Sequence, residues 1–152
     1  MGENDYVLCL LIRKDMDSLQ HAGKMIAQGA HAANHAAAEI GKGIFGTPPM
    51  MIFSQWEKST AQGFGTTLIF SGIIDRRGHR GLTLDDITKI VDFAKGHGVA
   101  AGVTHDPSYP LHDGNTVHAI PCDTCGWLFG AKDQLSIFTR PLTLQPAEAG
   151  AF

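Results

Sequence analysis

Residues 6–13, YVLCLLIR, form an apolar run that is unbroken until its closing arginine. A strand with one wet face alternates apolar and polar residues, whereas a run without alternation needs protein on both of its faces. The segment therefore reads as the central strand of a sheet with a packed layer on each side. It is too short for a membrane span or a secretory core, and Glu3 and Asp5 precede it in place of a positive n-region. No transmembrane or lipidation signal is expected, so the reading is of a chain without a membrane partner.

The rest of the chain supplies the layers. Residues 23–41 are Ala-rich and free of proline, which favours a helix stopped near Gly41 and Gly43. Thr47 as a cap and Pro48 in the first turn predict a short second helix to about Ser59, with Trp56 in the core. Residues 65–74 read as a strand, and DRRGHRG at 75–81 as a basic loop. Residues 82–98 carry Ile87, Ile90, Val91 and Ala94 at helical spacing, and Thr83 with Asp86 forms a capping-box-like start. Strands are predicted at 99–106 and 116–122, with DPSYPLHDGN as a turn-rich loop between them. Residues 132–139 read as a short helix or strand, and 141–152 as a tail with a frayed end. The sum is an α/β fold, a four-stranded mixed β-sheet flanked by helices on both faces, in one domain of 152 residues with its core at about 5–140. Sites in such sheets gather at the carboxyl ends of the strands.

Twelve Lys and Arg against fifteen Asp and Glu give a net charge of −3. A uniformly basic nucleic-acid coat is excluded, and any phosphate contact must use a local patch. Three cysteines, at 9, 122 and 125, make no disulfide framework, and a reducing, cytoplasmic setting fits them better.

Lys24, Gln28, His31 and His35 share one sector of the first helix. A lysine in a first turn opposes the helix dipole, which points to an anionic ligand or a developing oxyanion, while the plain alternative is a solvated helix face. His31 and His35 have a chelating spacing but no evident third ligand. Cys122 and Cys125 form a single CxxC, readable as two ordinary thiols, half a metal site or a redox pair. Asp106 closes a strand, where it can orient a water or cap the turn before Pro107. Neighbouring strand residues face opposite ways, so His105 should not share its site. No Gly-x-Ser-x-Gly elbow is present, which favours direct attack by water over an acyl-enzyme.

KMIAQGAHAA, residues 24–33, resembles the first-helix signature of the type II peptidyl-tRNA hydrolases. The opening VLCLLIRKDM, Trp56 within QWEKS, the run GVAAGVTHD and TVHAIP at 116–121 resemble the same family in the same order. That family cleaves the ester joining a peptide to the terminal ribose of tRNA. The resemblance implies Lys24, Gln28, Asp106 and Thr116 as catalytic residues. It implies peptidyl-tRNA as substrate, a homodimer, and neither metal nor cofactor. Arg13, His31, Arg76, Arg77 and Arg80 would contact the substrate. The family's Ala-Gly-Arg-Thr-Gln after the aspartate is replaced here by Pro107, Ser108, Tyr109, Pro110 and Leu111, and 122–133 stands where the family has a short polar connection. Three rivals follow. One is a binding module whose cleft is covered by 122–133, through Trp127 or Phe129. Another is a hydrolase of the same fold acting on a different substrate. The third is a metal-dependent hydrolase using His31, His35 and the cysteine pair.

Overall fold

The computed structural model describes residues 5–16 and 21–145. Their order is β1 (Tyr6–Ile12), α1 (Ala22–Gly41), α2 (Thr47–Glu57), β2 (Thr67–Asp75), β3 (Gly78–Gly81), α3 (Leu84–Gly96), β4 (Ala100–Asp113), β5 (Thr116–Ala131), α4 (Lys132–Thr139) and β6 (Leu142–Leu144). The sheet order is β3-β2-β1-β5-β4, with β6 also paired to β2. β1 is parallel to β2 and antiparallel to β5.

The apolar run lies where its composition requires. Val7 to Ile12 are each at most 3% exposed. Leu8, Leu10 and Ile12 pack with Ala32, Ala36 and Ile40 of α1 and with Phe53 and Trp56 of α2. Val7, Cys9 and Leu11 pack on the opposite face with Ile87, Val91 and Ala94 of α3 and Leu135 and Phe138 of α4. Small residues on the buried side of α1 let its axis approach the sheet closely, which fixes the height of every polar side chain on its next sector. The capping box at α3 forms as expected, with Thr83 and Asp86 each accepting from the other's backbone N–H. At α2 the cap is Gly46, at φ 88, and Thr47 is already helical.

Three expectations change. The sheet has six strands, not four, because the basic 75–81 segment folds back as β3 on β2 and residues 142–144 pair with β2 as β6. The rest of the tail, 146–152, lies outside the described residues, as do 17–20 of the segment leading into α1. The expected loop at 106–115 is instead the second half of β4. Its two-residue connection to β5 is Gly114-Asn115, with Gly114 at φ 59 in the position that type II′ turns reserve for glycine. Two prolines are tolerated here because β4 is an edge strand, where a missing N–H need not break a ladder. Finally, 122–131 is part of β5, with 125–129 between β1 and β4, and not a cleft cover. Trp127 is fully buried and Phe129 is 2% exposed, both in the core under α1 and α2.

Candidate functional site

Beyond the Ile12–Cys125 pairing, β5 has no β1 partner. The β4–β5 hairpin therefore projects as an arm past the carboxyl end of β1, beside the first turns of α1. Two β-bulges shape it. One leaves Thr124 as an extra residue on β5, between the Thr104–Cys125 and His105–Asp123 pairs. The other adds a residue to β4 between Asp106 and Tyr109. The two cancel, so His105 and Asp106 are the paired residues of β4 held one place out of step. A bulge lets two consecutive side chains turn to one side. Here Thr124 and Cys125 both face α1.

That local fault builds the site. The Thr124 hydroxyl donates to Gln28 Oε1 at 2.6 Å, and Gln28 Nε2 donates to Asp106 Oδ2 at 2.9 Å. The amide orientation is forced, since a carboxylate only accepts and so must face the nitrogen. Asp106 Oδ1 takes the Ser108 N–H at 2.9 Å, a bond that closes the bulge in β4 and not the turn expected before Pro107, because the strand runs on to Asp113. Partial burial pushes the Asp106 carboxyl upward, but the Gln28 amide and the Ser108 N–H outweigh it. The charges of His31 and His105 add to them, and the net displacement is downward. Asp106 is thus an ionised, weakly basic carboxylate suited to orienting a water. His105 holds Asp123 Oδ1 through its Nδ1 at 2.8 Å, yet, against expectation, it also borders the cleft at Asp106.

One turn before Gln28, Lys24 Nζ donates to the Pro110 carbonyl at 2.8 Å and sits 5.3 Å from the centre of the buried Tyr109 ring. It ties α1 to the arm beside Asp106 without bonding to it. Exposed His31 and Asp106 line a cleft of about 310 Å³ together with Asn34, His35, Thr104 and Pro107. His35 is part of its wall. Its Nδ1 accepts the Trp127 indole N–H at 3.2 Å and lies 3.1 Å from the Thr104 hydroxyl, which leaves Nε2 to carry the proton toward Glu39, 3.3 Å away.

The remaining sequence candidates are distributed differently. Arg13 reaches the bulge from behind, donating to the Asp123 carbonyl at 2.9 Å while its other nitrogens hold Asp15. Thr116 is next to the hairpin turn, paired with Asp113. It is six residue steps along β5 from Cys122, the partner of Asp106, or about 20 Å. The threonine at the site is Thr124, which the alternation of a regular strand would have turned away. Arg80 is bound by Asp75 at 3.0 Å and by Asp86 at 2.6 and 2.8 Å, and Arg77 also pairs with Asp75. Arg76 is exposed. Cys122 and Cys125 are both free and sit in different surroundings. Cys125 is buried, its thiol pushed up to about 12 by burial, while half-buried Cys122 lies 3.5 Å from the Met16 sulfur. Among the described residues, no three His, Cys, Asp or Glu side chains converge as a metal-ion site. No protein-family model matches the chain, and no curated protein matches it by sequence.

Proposed function

We propose that the chain is an esterase resembling the type II peptidyl-tRNA hydrolases, cleaving the bond between a peptide and the terminal ribose of tRNA. The observation that carries this reading is the hydrogen bond from buried Gln28 to Asp106, a residue that lines a cleft, with Lys24 one helical turn before Gln28. It unites residues 78 positions apart that the helix signature and the strand end had suggested separately.

In this reading Asp106 holds a water through the lone pairs that Gln28 and Ser108 leave open. The water oxygen bonds to the ester carbonyl carbon, and the ammonium of Lys24, released from Pro110 by substrate, neutralises the oxyanion. The C–O bond to ribose then breaks, and a proton from the water ends on the ribose oxygen. Gln28 cannot swing, because Thr124 fixes its far side. His31 meets the substrate at the cleft wall. The cytoplasmic homodimer implied by the family belongs to the same proposal.

The test is release of intact tRNA from peptidyl-tRNA. Wild type should turn over, and Lys24→Ala and Asp106→Asn should each lose about a hundredfold or more in kcat/KM while keeping the wild-type circular dichroism spectrum. A folded protein that releases nothing at high concentration would leave a binding module or another ester as the better description.

A further inference from the structure

Arg13 is held by its own chain. Its side chain is 14% exposed, and Nε and Nη2 grip the two oxygens of Asp15 at 2.6 and 3.0 Å. A phosphate would have to break this bidentate pair to take the guanidinium. The ground it stands on is fixed as well. The Lys14 N–H donates to the Leu82 carbonyl at 2.6 Å, and the Leu84 N–H donates to Asp15 Oδ2 at 3.3 Å. The chain leaving β1 is thus tied to the start of α3. The third guanidinium nitrogen, Nη1, reaches across 110 positions of sequence to the Asp123 carbonyl at 2.9 Å.

That carbonyl governs the bulge. It shares one rigid plane with the N–H of Thr124, the extra residue of β5. A bulged residue has no rung of its own to hold it. The last rung of β1 is Ile12 with Cys125, so β1 stops short of Asp123. Arg13 supplies from its side chain the donor that a longer β1 would supply from its backbone. Asp123 is also held by its carboxylate, through His105 Nδ1. With the plane pinned, the Thr124 hydroxyl is aimed at Gln28 Oε1.

We infer that Arg13 is a positioning residue of the site, fixing the peptide plane between Asp123 and Thr124 so that Thr124 keeps the Gln28 amide on Asp106. Its effect on turnover rests on the esterase reading above, whereas its effect on the Asp106 carboxyl does not.

The test is a double-mutant cycle of Arg13→Met and Thr124→Val. It is read in kcat and KM for peptidyl-tRNA, and in the pH titration of the Asp106 carboxyl carbon by nuclear magnetic resonance. Each single variant should lower kcat about tenfold with KM within about twofold, and the double variant should fall no further, because both changes cut one line of contacts. The Asp106 midpoint should rise in all three variants, since the Gln28 amide that pulls it down is loosened. The histidines whose charges also act on Asp106, His31 and His105, are common to every protein in the cycle. Arg13→Lys keeps a cation beside Asp15 but has no fork to serve Asp15 and Asp123 together. It should raise the same midpoint, and it takes the place of Arg13→Met if that variant does not fold. A higher KM at unchanged kcat would make Arg13 a substrate contact and overturn the inference. A double variant about a hundredfold down would overturn it too, since Arg13 would then act by a route that bypasses Thr124. Turnover by none of the proteins would overturn the esterase and leave the titration to decide. A midpoint raised alike by Arg13→Met and Thr124→Val keeps the positioning role, and one that Arg13→Met leaves unmoved removes it.

Discussion

Gln28 is 3% exposed, and both ends of its amide are bonded. A buried polar group deprived of one partner costs about 1–3 kcal/mol. Thr124→Val should therefore lower the thermal midpoint by several degrees and reduce kcat about tenfold or more, with a smaller change in KM. Thr116→Ala, next to the hairpin turn, should alter neither by more than about twofold. The contrast is measured by a melting curve and steady-state kinetics on the two variants. The lowered Asp106 pKa sets the acid behaviour. The carboxylate is charged at neutral pH, so its activity limb should fall only below the ordinary aspartate range, and stability drawn from its bonds is lost as pH drops through its folded pKa. Lys24 and Gln28 were legible as neighbours because helical spacing is a local signal, whereas Asp106, read as closing a strand, lies in the middle of β4. Thr124 was not legible, because a bulge is a property of two strands together.

Elements were legible where one period governed them. α3 announced both its apolar face and its cap. Thr83→Ala should cost about 1 kcal/mol in urea unfolding, the usual value of such a cap. Hydrogen bonds from Arg80, with Thr83 assisting, hold the Asp86 carboxyl down to about 2. A depressed carboxyl stabilises the fold above its unfolded pKa and stops doing so as pH falls through its folded one. Wild type should therefore lose this contribution between about pH 4 and pH 2, and Asp86→Asn should be less stable at neutral pH with a flatter decline across that window. Urea titrations at several pH values decide it. The β4–β5 arm was illegible for the opposite reason. Prolines, a glycine and polar residues read as a loop, yet an edge strand with a bulge accommodates all of them. Gly102 shows the same dependence on neighbours. A Cβ there would stand 2.8 Å from the Trp127 indole nitrogen. Gly102→Ala should cost about 1–3 kcal/mol through overpacking, read from the same titrations.

At the scale of the molecule, the α/β architecture followed from one apolar run and the helices around it, while the outer strands β3 and β6 did not. Each is four residues or fewer and joins the sheet only through β2. Charge is also organised globally. Arg13, Arg77 and Arg80 are each paired with aspartates, so three of the basic side chains expected to grip phosphates are already engaged within the chain. The paired bulges carry a further consequence. Thr124 is one residue more than the ladder needs, since Thr104–Cys125 and His105–Asp123 would become adjacent rungs without it. Deleting that codon should leave a protein that folds with the arm in place and Gln28 untethered. The scaffold and the proposed chemistry would then be divisible by a single insertion, and a lineage could gain or lose the proposed activity in one indel without passing through an unfolded intermediate.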